Sequence, residues 1–530
     1  MSRSRRFQFA GPLAPVAILA LLAWIVAAPL SAGTGDPAGW MNSQPEQPEV
    51  VVVQGATIWT SGPDGRLDNA DLLVEGGVIR AVGQGLEVPE GALVIDGSGK
   101  HVTAGLIDAH SHSAILGGVN EGTNINTAEV RIRDVINAES VELYRQLAGG
   151  VTTINLLHGS ANAIGGQNAV IKMRWGADPE DLLFAEAPEG VKFALGENPK
   201  QSNWDAETPR FPQTRQGVEQ IIRQAFLEAR DYQRAWQEAE ADEPSTSGRR
   251  GRRSEPAPPA KIPPRRDLQT EAVVEMLDGS RLIHSHSYRA DEILMLIRLT
   301  DAFGTRVASF QHVLEGYKVA DEIAAQGAGA STFSDWWAFK FEVIDAIPYN
   351  GSILWDRGVV TSFNSDSSEL ARRLNLEAAK AVRYGGVPES EALKFVTLNP
   401  AIQLGIDPWV GSLEVGKHAD FTIWSGHPLS TYTICEQTWL DGRRYFDRQH
   451  DLEKRKAVQA ERQTLMEKVR AASESEDEGE GEEGAEGDAE GEGSEEEAAE
   501  GDETPEQDPP PTPEDGKTVD LINRLAGEVR

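Results

Sequence analysis

The sequence predicts an α/β fold, a (β/α)8 TIM barrel with a small β domain beside it, on three observations. Between residues 104 and 408 apolar strand-like runs alternate with helical stretches, several of those runs end in a residue able to do chemistry, and short β-rich runs recur on both sides, at 50–103 and 409–447. Strand and helix in alternation imply a parallel sheet with helices packed outside it, and a barrel of this kind brings the C-terminal ends of its strands to one mouth. A doubly wound open sheet would want a Gly-rich phosphate turn after its first strand, and "GLIDAHSHS" (105–113) is not one.

The elements follow in order. Residues 1–33 join a cationic start ("MSRSRR"), an apolar stretch ("LAPVAILALLAWIVAAPL") and small residues ("SAG"), the pattern of a signal peptide. The expectation is an exported protein, periplasmic or extracellular, with an uncleaved membrane anchor as the alternative. A polar linker (34–49) leads to "VVVQGATIW", "DLLVEGGVIRAVG" and "ALVIDGSGKHVTAG", where Val and Ile alternate with polar residues between Gly-rich turns, as in a small antiparallel sheet. The barrel (104–408) is interrupted at 236–268 by a segment rich in Pro, Ser and charge, which lacks the apolar surface to order itself. Short strands return at 409–447 and can complete the N-terminal sheet. A charged helix is expected at 448–472, an acidic disordered tail at 473–515 and a short terminal helix at 516–530.

Charge narrows the partners. Of the formal −34, the 21 Asp and Glu of residues 471–515, which include no Lys or Arg, account for most, and −13 remains elsewhere. No basic surface is suggested, which argues against nucleic acid. The lone Cys435 excludes an intramolecular disulfide.

The histidines carry the chemistry. "HSH" occurs twice, at His110/His112 and His284/His286, although ten histidines scattered over 530 positions would give such a pair only roughly 0.2 times. On a strand, residues i and i+2 point to the same side, so each pair can present two imidazoles to one point. Other strand-like runs end in His158, Lys192, His312 and Asp366. Neutral imidazoles joined by one carboxylate make a donor set suited to Zn2+ or Mn2+.

The segments "GLIDAHSHS", "LAGGVTTI", "GVKFALGENPK", "IHSHSYRADEI", "QHVLEGYK", "NSDSSELARRLNLEAAKAVRYGG", "TLNPAIQLGI" and "VGSLEVGKHADFTIWSG" resemble the metal-dependent amidohydrolase superfamily, above all its imidazolonepropionase-like and prolidase-like branches. The resemblance covers residues 50–435 and departs at Ala104, where the family usually has Pro. It implies a β-sandwich built from both ends of the chain, a (β/α)8 barrel, and one or two metal ions per chain. It assigns His110 and His112 to a first metal, His284 and His312 to a second, and makes Asp366 both ligand and proton acceptor. Lys192 would be carbamylated and bridge the metals, with Glu197 as a nearby substitute. His286 and His158 would face the substrate, and His284 and His286 could exchange roles, since they share a strand face.

The activity implied is hydrolysis of a C–N bond in a cyclic amide, small amide or dipeptide by a metal-activated water, with Asp366 as general base. A heterocycle deaminase on the same scaffold is the alternative within the class. A non-catalytic binding protein with this fold is the alternative outside it. An assembly of identical chains is compatible with either.

Overall fold

The structure, a computed structural model, describes residues 44–200, 210–241, 263–334, 336 and 338–480, with side chains as far as 470. The expected signal peptide, residues 34–43 of the linker, residues 242–262 of the insertion, the tail beyond 480 and the terminal helix lie outside the described residues. The chain divides into two compact units between Ala460 and Glu461. No helix among the described residues is long and apolar enough to cross a membrane.

The N-terminal segment supplies β1 (Val50–Trp59), β2 (Arg66–Glu75), β3 (Val78–Gly83), β4 (Leu93–Asp96) and β5 (His101–Ala104). The next strands are β6 (Leu106–Ser111), β7 (Val151–Leu156), β8 (Ile164–Gln167), β9 (Ala169–Lys172) and β10 (Gly190–Ala194). They are followed by β11 (Leu282–Ser287), β12 (Ser309–His312), β13 (Gly329–Thr332) and β14 (Thr361–Phe363), and the C-terminal segment supplies β15 (Phe421–Trp424), β16 (Cys435–Leu440) and β17 (Arg443–Asp447).

The two ends of the chain share one sheet, ordered β17-β16-β15-β5-β1-β2-β3 with β4 on β1. Its join is the antiparallel pairing of β5 with β15, where Val102 faces Ile423. Apolar residues of both segments pack together: Val53, Ile58, Leu72 and Val102 with Phe421 and Trp439, whose rings stack at 5.4 Å. The ladders do not divide into the two sheets of a sandwich. β1 bulges after Val53, so its first half pairs with β4 and its second half with β5, and one branched sheet results.

The middle of the chain carries parallel pairs, β6 with β7, and β10 through β14 in order. Strands β6, β7 and β10 are buried along their whole length, as expected where a parallel sheet is covered on both faces. Helices lie against it: Phe226 of helix Arg215–Ala241 and Phe303 of helix Ala290–Phe303 meet at 5.2 Å in a core that includes Phe193, Ile283 and Phe310. Helix Leu268–Asp278 starts where the Asp267 carboxylate accepts from the amides of Gln269 and Thr270, and stops at Gly279, whose φ of 84° few other residues tolerate.

The closed, all-parallel ring expected from the sequence is not what the described ladders form. Segment 164–172 runs antiparallel to both neighbours, β8 to β10 and β9 to β7, so two sheets meet there. On the opposite side, the amides of Ile107 in β6 and Phe363 in β14 donate to the carbonyls of Val396 and Phe395, both at 2.9 Å. A later piece of chain thus takes the hydrogen bonds that would have zipped the first strand to the last.

The sheet and the barrel region are riveted by charge. Lys172 at the end of β9 is fully buried, bonded to Asp420 at 3.0 Å and to Asp441, which also receives Arg174 at 2.8 Å. Removing one partner from a buried ion cluster strands the others. Lys172→Met is therefore expected to lower stability by about 3–5 kcal/mol, read as a fall in the urea midpoint. An unchanged midpoint would show that Asp420 and Asp441 find compensation elsewhere.

The last described helix, Arg448–Glu480, runs beyond the expected limit of 472 into the start of the acidic run.

Candidate metal centre

Strand ends bring the polar residues together. Asp366, just after β14, has its carboxylate 3.6 Å from His110 Nε2, 3.2 Å from His112 Nε2 and 3.8 Å from His312 Nε2. The ligand atoms of His110, His312 and Asp366 lie within 4.8 Å of one another. His110 and His312 are buried, whereas the side chains of His112 and Asp366 keep 27% and 23% of their exposure, so solvent reaches the cluster from their side.

The ring nitrogens show what this arrangement suits. His112 Nδ1 lies 2.8 Å from the Leu157 carbonyl, which can only accept, so Nδ1 carries the proton and Nε2 of the neutral ring is a lone pair aimed at a carboxylate. His110 repeats the pattern with Nδ1 on Gln311 Oε1 at 3.2 Å. Lone pairs facing an anion repel unless a cation joins them, and a proton is disfavoured at His110 and His312, because burial pushes both well below the ordinary histidine range. The donor set fits a divalent metal.

A buried hydrogen-bonded chain supports the imidazoles from behind. Gln311, whose Oε1 holds His110, donates from Nε2 to Ser309 Oγ at 2.6 Å, and Ser309 Oγ is 2.8 Å from His284 Nδ1. His284 is thus like His110 and His112 in having Nδ1 engaged; burial takes its pKa down to about 3. His286, two residues on, differs. Among the described residues neither of its buried ring nitrogens has a hydrogen-bond partner, and its ring lies between Tyr288 at 4.5 Å and His312 at 4.8 Å.

Asp108 anchors Asp366. It accepts from the amides of His110 and Ser365 at 3.2 and 3.1 Å and from the Ser365 hydroxyl, while the Asp366 amide donates to the His110 carbonyl. The first and last strands are tied together at the site. Both His312 and Asp366 sit at positive φ, 69° and 45°, a strained setting that recurs at functional positions.

Lys192, at the middle of β10, is buried and donates to His110 Nε2 at 3.1 Å; burial draws its pKa down to about 7. Glu197 stands at the rim, paired with Lys340 at 3.1 Å. His158 does not face an open site. Its Nδ1 bonds the Gly159 carbonyl at 2.9 Å and its Nε2 accepts from the Glu121 amide at 2.9 Å, so the expected substrate contact gives way to holding the loop that contains Glu121. Asp108, Ser309, Gln311 and Ser365 were not anticipated. Asp108 alone left a trace, two residues before the first histidine of the doublet.

Comparison with known proteins points to one family. A sequence model described as the amidohydrolase family matches residues 351–445. An amidohydrolase, tasK, of Hapsidospora irregularis is 30% identical over 455 residues, 78% of this chain and 45% of that protein. Urease subunit alpha of Yersinia pestis (strain Pestoides F) is 38% identical over 91 residues, 14% of this chain and 16% of its own length. The chain therefore spans less than half the length of these curated relatives. The solved amidohydrolase of Thermotoga maritima MSB8 is similar at 30% identity and a TM-score of 0.67, over 75% of this chain and 100% of that one.

Proposed function

The chain belongs to the amidohydrolase family, and on that premise we propose that it is a metal-dependent hydrolase of a C–N bond in a small amide, cyclic amide or dipeptide. The observation that carries the proposal is the convergence of imidazole lone pairs on the Asp366 carboxylate.

In this reading, His110, His112, Asp366, His284 and His312 would hold Zn2+ or Mn2+, one or two ions per chain. Engagement of Nδ1 at His110, His112 and His284 supports choosing them, because a second hydrogen bond fixes the ring so that Nε2 can ligate. His286, with both nitrogens unpartnered, is left to meet the substrate. Lys192 would react with CO2, its amine losing a proton as the carbamate forms, and would offer the resulting anionic oxygens to the metal; its Nζ lies 3.1 Å from His110 Nε2, which supports the choice. A bound divalent cation supplies Lewis acidity and makes water a better nucleophile near neutral pH.

The residues of the chain do the rest. Asp366, partly open to solvent, accepts the proton of the attacking water as its oxygen bonds to the substrate carbonyl carbon. It then delivers that proton to the departing nitrogen as the C–N bond breaks, leaving a carboxylic acid and an amine. Asp108, through Ser365, keeps the carboxylate on station. We further propose that the chain is exported, on the charge and apolarity of residues 1–33.

Removal and return of metal tests the reading. Protein stripped with a chelator is expected to lose hydrolysis of dipeptides and cyclic amides and to regain it with Zn2+ or Mn2+. Undiminished activity after complete stripping would overturn it.

A further inference from the structure

One flank of the centre is built of flat rings. The His312 imidazole stacks on Phe333 at 4.9 Å and 17°, Phe333 stacks on Trp336 at 4.2 Å and 18°, and the Trp336 indole meets Phe339 edge-on at 6.0 Å. Phe339 in turn approaches Tyr288 at 6.4 Å, and Tyr288 closes the circuit to His312 at 5.6 Å and to His286 at 4.5 Å. The rings come from two loops, the residue after β11 and the segment after β13, both at the C-terminal ends of strands, where a barrel presents its site.

Burial is graded along this wall. Phe333 and Tyr288 are buried at 3% and 6%, Trp336 is partly covered, and Phe339 is 53% exposed. The wall therefore begins in contact with His312, 3.8 Å from Asp366 in the centre, and ends in water. Its far end carries charge rather than more apolar surface: Lys340 Nζ lies 4.5 Å over the Tyr288 ring and is paired with Glu197 and Glu342 at 3.1 and 3.3 Å. The positive group is already neutralised, so the surface that the described residues offer along this flank is aromatic.

We propose that this wall sets specificity, seating a flat apolar group, an aryl side chain or aromatic ring, attached next to the scissile C–N bond. The inference rests on the hydrolase reading above and deepens it by naming the substrate class. An aromatic ring gains most from such a surface, since offset and edge-to-face contacts add to the area it buries. His286, buried against Tyr288 with both nitrogens unpartnered, stands where the polar part of the same substrate would arrive.

Two measurements on the whole protein test this. In the metal-loaded enzyme, kcat/KM for phenylalanine-containing dipeptides should exceed that for alanine-containing ones. Phe339→Ala and Trp336→Ala should each cut that ratio about tenfold, chiefly through KM. Phe341→Ala, on a side chain 85% exposed and outside the circuit, should leave the ratio where it was. In metal-stripped protein, binding of N-acetyl-phenylalaninamide, followed by calorimetry against N-acetyl-alaninamide, should weaken in the same two variants. Hydrolysis without aryl preference, or an equal effect of Phe339→Ala on both dipeptide sets, overturns the wall while leaving the hydrolase standing. Selective binding of the phenyl probe that depends on Phe339, in a metal-loaded protein that hydrolyses neither these dipeptides nor cyclic or small amides, supports the wall and removes the hydrolase.

Discussion

Asp366→Asn is expected to lower kcat by about 10²- to 10⁴-fold, the range that a positioned general acid–base contributes, with the melting curve preserved. The substitution is close to isosteric, and the backbone favours it. At a φ of 45°, Asn and Asp are among the few residues other than Gly that sit without large strain. The Asp366 amide keeps its bond to the His110 carbonyl, and Asp108 still holds Ser365, so the loop has no reason to move. What changes is proton affinity: an amide oxygen cannot take the proton of water and return it to nitrogen. Asp366→Ala is a poorer test, because it adds left-handed strain to the chemical loss. Metal content measured alongside kcat separates a lost base from a lost ligand. If Asp366→Asn with full metal retains wild-type kcat, the proton travels by another group.

His284→Ala and His286→Ala should part company. Loss of a supporting partner behind a ligand typically weakens metal binding 10- to 100-fold, and loss of the ligand itself should exceed that. His284→Ala is therefore expected to raise the dissociation constant for metal by more than about 100-fold, with activity falling in step. His286→Ala is expected to retain metal and raise KM. Elemental analysis of each purified variant, followed by titration of the stripped protein, distinguishes them. Metal lost from His286→Ala and kept by His284→Ala would reverse the assignment.

That second pair shows where the sequence stops being legible. The doublets at 110/112 and 284/286 reveal a shared strand face, because strand periodicity is local. The difference between His284 and His286 lies in Ser309, which comes from the neighbouring strand 25 residues away and fixes one ring but not the other. Ser309 and Gln311 read in sequence as ordinary polar residues of "SFQH"; only the pairing of β11 with β12 makes them a support. Asp366 was recognisable from its place after a strand, but Asp108 as its anchor depends on a contact 257 residues apart. The alternation of strands and helices was visible, whereas the direction of segment 164–172 was not. "IGGQNAVIK" has the composition of a strand whichever way it runs, and its antiparallel course is decided by neighbours on both sides. His158 looked like a residue of the mouth because it follows a strand; its use as a loop fastener depends on the Glu121 amide, 37 residues earlier.

The shared sheet has a consequence for biosynthesis. Trp424 bonds to Thr103 across 321 positions, so β5 leaves the ribosome long before β15 exists. At about 5–20 residues per second, the interval is roughly 15–60 s. Throughout it the nascent chain displays an unzipped strand edge, an invitation to sticking that no amount of local propensity in the first hundred residues can withdraw.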